Sequence, residues 1–289
     1  MRSVLRWTFR VLLILLIADL VYLVAIWPDW SRYATGPIPK SRFIADYEAD
    51  RAEKDFQKLR WQPVALNSIP RTLQRAVLIA EDWRFYQHNG FDFEAIRDAL
   101  DYNMEKKRIA YGASTISQQT TKNLFLSPSR DPLRKWHEIV LTVGLEKHLS
   151  KRRILEIYLN VAEFGRGIYG VQAASLYYYG VPVSAISRDQ AMELAATLPG
   201  PRKNNPANPT RYFARHLAKL KRLVARIEPA PPPPPPPVEA AEIGDSPLDA
   251  IVPAPVEPEA VPAPDEPGVP PPPPDSPEDT PAPAGAVWM

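Results

Sequence analysis

The chain has 289 residues, no cysteine and a formal net charge of +2, and 23 of its 35 prolines fall in the last 61 residues. Without cysteine, disulfides and thiolate chemistry are excluded, which suits an exported domain without requiring one. The tail holds 11 of the 33 acidic residues and none of the 35 basic ones, so the body up to Glu228 is 13 charges positive, a bias that fits an anionic membrane surface, a phosphorylated substrate or nucleic acid.

Residues Val11 to Trp27 are apolar except for Asp19, with Arg2, Arg6 and Arg10 before them and Trp27 and Trp30 at the far edge. This pattern predicts a single bilayer span over 11–27 with residues 1–10 in the cytoplasm. Leu23-Val24-Ala25 places a leucine where a cleavage site needs a small residue, so an uncleaved anchor is expected rather than a signal peptide. A carboxylate inside the span costs about 2.5–3.5 kcal/mol, which the other apolar residues offset. Protonation or snorkelling is the simplest account of Asp19, and association with another helix is the alternative.

Residues 28–60 read as a juxtamembrane neck, charged and helix-compatible from Ser41 to Arg60 and ended by Trp61-Gln62-Pro63. From Arg71 onward apolar residues recur at three and four: Leu73, Ala76, Val77, Ala80, then Phe93, Ile96, Ala99, Leu100, then Ile139, Val140, Val143, Leu145. Further helices are expected over Arg153 to Val161, Ile168 to Tyr179, Arg188 to Leu198 and Thr210 to Ile227, separated by Gly- and Pro-bearing segments such as Gly165-Arg166-Gly167. No alternating strand pattern stands out, so the fold class is mainly α, with one catalytic-sized domain over 61–228. Residues 229–289 are too poor in apolar side chains to fold and are expected to form a disordered, acidic, proline-rich tail.

Three polar blocks carry candidate chemistry. Adjacent carboxylates Glu81 and Asp82 end an apolar helical run and are followed by Phe85 and His88. A structural carboxylate paired with an arginine explains Glu81 as well as catalysis does, and His88 reads as a hydrogen-bonded strut, since four scattered histidines show no metal spacing. In the second block, Gly112 and Ser114 look like a turn and cap, and helical spacing puts Thr115, Gln118, Gln119 and Lys122 on one face, ahead of Asn123. That face can grip sugars and phosphate oxygens, or can simply be solvated. In the third, Arg134 and Glu138 are four apart beside Lys135; a surface ion pair is the plain account, although the basic-first order is the less favourable one on a helix.

Taken together, the blocks resemble the peptidoglycan glycosyltransferases, membrane-anchored lysozyme-like enzymes that polymerise lipid II, and in particular their monofunctional biosynthetic form. The family pattern Glu-Asp-x-x-Phe-x-x-His-x-Gly is met by Glu81 to Gly90, Gly-x-Ser-Thr-x-x-Gln-Gln-x-x-Lys-Asn by Gly112 to Asn123, and Arg-Lys-x-x-Glu by Arg134 to Glu138. A fourth, Lys-x-x-Ile-Leu-Glu-x-Tyr-Leu-Asn, is met by Lys151 to Asn160. The chain departs from the family in Tyr178-Tyr179-Gly180, where Tyr-Phe-Gly is usual, and in its long tail.

The resemblance implies a lysozyme-like helical domain in which Glu81 is the general base for the acceptor C4 hydroxyl. Lys122, Arg134 and Lys135 would stabilise the departing undecaprenyl pyrophosphate, with Glu138 beside them orienting those cations or helping to hold a divalent cation, Mg or Mn. Asp82, Phe85, His88, Gly112, Ser114, Thr115, Gln118, Gln119 and Asn123 would complete the substrate site. The implied partners are lipid II and the growing glycan chain, and other cell-wall synthesis proteins could be reached through the tail. The implied location is the bacterial inner membrane with the catalytic domain in the periplasm, which removes nucleic acid as a target. A lysozyme-like lytic enzyme and a non-catalytic scaffold acting through the tail are the alternatives. No Ser-x-x-Lys and no Lys-Thr-Gly occurs, so a penicillin-sensitive half is not expected.

Overall fold

The structure, a computed structural model, describes residues 2–54, 57–106, 113–128 and 131–227. The proline-rich tail expected over 229–289 lies outside the described residues. The first helix, α1 (Arg2–Ala25), begins well before the expected span, and its apolar stretch runs Val4–Ala25. Val4, Leu5, Trp7 and Phe9 extend the apolar surface past Arg6 and Arg10, whose long stems can reach back toward a polar interface. Only 6 % of the stretch is buried, so α1 is not a core helix; it is long and apolar enough to cross a membrane.

Two short helices follow, α2 (Ser31–Ala34) and α3 (Arg42–Lys54). Trp30, Ile44 and Tyr47, all from the segment expected as a neck, are buried in the same core as the helices beyond. Trp30 is therefore a packing residue and not the interfacial anchor its position suggested: its ring stacks on His148 and meets Phe125 edge-on. Arg60–Trp61 forms β1, which pairs in parallel with β3 (Ile168–Tyr169), while β2 (Glu163–Gly165) pairs antiparallel with β3. The Gly165-Arg166-Gly167 segment, expected to separate helices, turns this hairpin, with Gly167 at φ +74°.

The main body is helical, as its apolar spacing requires. It comprises α4 (Arg71–Glu81), α5 (Phe93–Lys106), α6 (Ile116–Phe125), α7 (Pro132–His148), α8 (Lys151–Val161), α9 (Val171–Tyr179), α10 (Arg188–Thr197) and α11 (Arg211–Ile227). Leu73, Ala76 and Val77 are the buried face of α4, which packs on α10 and α11. Each large apolar side chain so buried contributes about 1.5–3 kcal/mol. The central α6 packs between α7 and α8 and buries polar residues as well as apolar ones, with Thr120 and Thr121 bonded internally.

The fourth motif is a clamp. Asn160 accepts from Val64 N at 2.8 Å, donates to Val64 O at 2.9 Å, and its carbonyl accepts from Trp61 Nε1 at 3.0 Å. Glu156 accepts from Leu66 N and Arg153. Together they hang the β1 segment on α8, and α8 in turn supports α6.

Candidate active site

Glu81 is the last residue of α4, and the backbone leaves the helix at Asp82 with ψ 74°. This break aims the two carboxylates apart. The Asp82 carboxylate turns inward, accepting from Ile116 N at 2.9 Å and from His88 Nε2 at 3.0 Å, so it ties the first block to the start of α6. His88 is thus the strut its sequence context suggested. Asp92 beside it is held bidentately by Arg84 and accepts from Ala95 N at 2.9 Å. Ligand atoms of Asp82, His88 and Asp92 lie within 4.8 Å of one another, a grouping that histidine spacing alone did not reveal, but both carboxylates already carry internal donors.

Phe85, expected to touch substrate, is fully buried beneath the loop, with Lys151 Nζ 4.4 Å from its ring centroid. Its ring is a packing element, because the aromatic surface repays burial more than exposure to a polar sugar. Thr115 caps α6 in place of Ser114: its hydroxyl accepts from Gln118 N at 3.2 Å and donates to Gly90 O at 2.7 Å, while Gln118 Oε1 accepts from Thr115 N at 3.0 Å. This capping box turns Gln118 inward, away from the expected polar face. Ser114 is exposed and lines the cleft, Asn123 is buried on α6, and Gly112 lies outside the described residues.

What remains at the chemistry is compact. Gln119 Nε2 donates to Glu81 Oε2 at 2.7 Å, and Gln119 Oε1 accepts from the buried Tyr158 hydroxyl at 3.1 Å. The surrounding protein desolvates the Glu81 carboxylate and pushes its pKa up; the Gln119 hydrogen bond and the Lys122 charge oppose this, and Asp82 adds to it. Lys122, one turn further along α6, is pulled down by burial, sustained by Glu138, and lowered further by Arg134 and Lys135. Glu138, only 3 % exposed, accepts from Arg134 Nη1 at 2.9 Å and from Lys135 Nζ. The expected surface ion pair is therefore a buried carboxylate held by a half-buried arginine and a more exposed lysine, so cations outnumber the carboxylate.

A cleft of about 660 Å³ opens over Glu81. Its walls include Asp82, Arg84, Ser114, Thr115 and Gln119, and, from α11, Tyr212, His216 and Lys219. These three α11 residues belong to no motif, and only the amphipathic spacing of the last helix hinted that one of its faces would be turned inward. The His216 ring stacks on Tyr212, its Nε2 is buried without a partner, and burial together with Lys219 lowers its pKa.

The transglycosylase family model matches residues 50–226. The chain belongs to this family. Among its relatives, the biosynthetic peptidoglycan transglycosylase of Nitrosospira multiformis is 42 % identical over 200 residues, spanning 68 % of this chain and 86 % of the relative. That of Thiobacillus denitrificans is 46 % identical over 169 residues, 58 % and 73 % of the two chains. That of Bdellovibrio bacteriovorus is 38 % identical over 225 residues, 78 % and 86 %. The transglycosylase match covers the three blocks, the clamp and most of α11, and ends before the proline-rich tail.

Within this transglycosylase site, Glu138 was expected either to orient the cations or to help hold a divalent cation. Both its oxygens are engaged by Arg134 and Lys135, and no second carboxylate accompanies it among the described residues that bond there. A hard divalent cation takes several oxygen ligands, so this donor set does not fit one, and no catalytic step is routed through a metal here.

Proposed function

We propose that this peptidoglycan glycosyltransferase of cell wall synthesis polymerises lipid II with Glu81 as the general base. The C4 hydroxyl of the acceptor sugar gives its proton to the Glu81 carboxylate, and its oxygen forms the new bond to the anomeric carbon of the donor. The bond from that carbon to undecaprenyl pyrophosphate breaks, and the leaving group takes the electron pair. Displacing an α-linked pyrophosphate to form a β-1,4 bond is an inversion, so base and leaving group act from opposite faces and no protein nucleophile is needed.

The observation that carries this reading is the gradient from Glu81 to Glu138. A desolvated base stands at one end, and the partly buried cations Lys122, Arg134 and Lys135 gather around the buried Glu138 at the other, with Lys122 electrostatically coupled to both. A raised carboxyl pKa suits proton abstraction near neutral pH. Fixed cations stabilise the charge that grows on the pyrophosphate more than they stabilise the ground state. The family match covers only a transglycosylase part, which fits a monofunctional enzyme.

In this reading α1 anchors the enzyme in the bacterial inner membrane, with Arg2, Arg6 and Arg10 on the cytoplasmic side and the catalytic domain in the periplasm. Both substrates carry prenyl chains that stay in the bilayer, so anchoring keeps enzyme and substrate in one plane. The test is to supply labelled lipid II and follow both products: glycan polymer and one undecaprenyl pyrophosphate per bond are expected. Soluble fragments released from purified cell wall, with no polymer, would instead establish the lytic chemistry.

A further inference from the structure

Asp19 is the one acidic residue in the apolar stretch of α1, and the structure gives it specific partners. Its Oδ1 accepts from His137 Nε2 at 2.6 Å and its Oδ2 from Trp136 Nε1 at 3.1 Å, both on α7. Tyr22, nearly one turn along α1, brings its ring centroid to 4.9 Å from that of His137. The Asp19 and His137 side chains are 15 % and 7 % exposed, so the pair is largely withdrawn from solvent. Across α1, whose described residues are otherwise exposed, Asp19, Leu23 and, just past the helix, Ile26 form the sheltered stripe, at helical spacing of four and three. Trp27 and Trp30 then approach Gly144 of α7 so closely that a Cβ there would collide with the Trp30 ring and crowd that of Trp27. The anchor therefore grips α7 at two places two helical turns apart.

Helix α7 is also the helix of the pyrophosphate cations: Arg134, Lys135 and Glu138 bracket Trp136 and His137. Leu133, Trp136, Ile139 and Val143 leave an apolar stripe exposed along it. Asp19 stands six residues before the end of α1, about 9 Å along the helix axis at 1.5 Å per residue, so the grip falls a short way inside the outer end of the span.

We propose that Asp19, His137 and Trp136 form a latch that fixes the depth of α7 against the bilayer. Asp19 is then a positioning residue, whose function is to hold Arg134 and Lys135 at the level of a lipid-borne pyrophosphate. This explains why an ionisable group with its insertion cost is placed in the anchor: an intramembrane charge is tolerated where it finds a partner and does a task. The step from depth to substrate affinity rests on the proposed function of the α7 cations.

The chain lacks cysteine, so a single Val143→Cys on the exposed side of α7 can carry a fluorescent label in the full-length enzyme. Reconstituted vesicles containing lipids brominated at different acyl positions report the depth of that label. Asp19→Leu is expected to shift the quenching profile, and Asp19→Asn, which keeps a carbonyl acceptor for His137, to shift it less. Asp19→Leu is also expected to raise KM for long-chain lipid II in vesicles on the order of tenfold, a size typical of small misplacements, with kcat changed much less. In detergent micelles with a short-chain analogue the KM difference should shrink, which a general loss of folding would not produce. An unshifted quenching profile in Asp19→Leu overturns the latch. Arg134→Gln separates the two layers: if it leaves KM unchanged, the pyrophosphate reading fails while a shifted profile still upholds the latch. If it raises KM while Asp19→Leu moves neither depth nor KM, the latch is overturned and the pyrophosphate reading stands.

Discussion

Replacing Gln119 by leucine tests how the base is tuned. The substitution removes the donor that sits 2.7 Å from Glu81 Oε2 and the acceptor for the Tyr158 hydroxyl. A hydrogen bond to a charged group is worth about 1.5–3 kcal/mol. Its loss removes support from the ionised form and raises the Glu81 pKa further, since the neutral acid needs that donor less. Because only the carboxylate can accept the proton, the acid limb of kcat/KM moves to higher pH. The same sign governs stability. A carboxyl whose folded pKa lies above its unfolded value costs stability as pH rises from the unfolded pKa through the folded one, so the variant loses more at neutral pH than the wild type. The buried Tyr158 hydroxyl, left without its acceptor, adds about 1–3 kcal/mol. Measuring kcat/KM for labelled lipid II from acid to alkaline pH, with thermal melts alongside, gives both numbers. An acid limb that stays put or moves to lower pH would refute the claim that Gln119 sustains the ionised base.

Lys122→Met removes the cation that electrostatically couples Glu81 to the Arg134 cluster and should lower kcat by about 10²–10³-fold, the scale for losing one transition-state charge partner; single-turnover rates on lipid II would show it. Thr115→Val deletes the α6 cap and the bond to Gly90, costing about 0.5–2 kcal/mol, read as a lower denaturant midpoint with kcat reduced far less than in Lys122→Met. Gly144→Ala drives a methyl group into Trp30 and against Trp27 and should destabilise the protein by about 1–3 kcal/mol, measured by thermal melting in detergent.

The helices of the body were legible because each carries a stripe of apolar residues long enough to show its period, as in Leu73, Ala76 and Val77 of α4. The strands were not, because two or three residues show no alternation, and β1 is defined only by pairing with β3 more than 100 residues away. The motifs marked which residues gather at the site but not which way each one faces. Phe85, Thr115 and Gln118 share their blocks with Glu81 and Gln119, yet local geometry commits the first to packing and the other two to a helix cap. Tyr212, His216 and Lys219 reach the cleft only because α11 packs on α4, a tertiary fact that the amphipathic spacing of α11 hints at without saying where its inner face lands. Asp19 showed its cost in sequence, but its partners stand 117 and 118 residues away, and only folding brings them together.

The central claim is that one desolvated carboxylate, Glu81, takes the acceptor proton. Glu81→Gln keeps the shape of the side chain and can still meet Gln119, but it cannot act as a base, so polymerisation of labelled lipid II should fall by about 10²–10⁴-fold. Because an uncharged amide is not penalised by burial as the carboxylate is, the melting temperature should hold or rise. Glycan synthesis by a folded Glu81→Gln enzyme at a rate near that of the wild type would contradict the account.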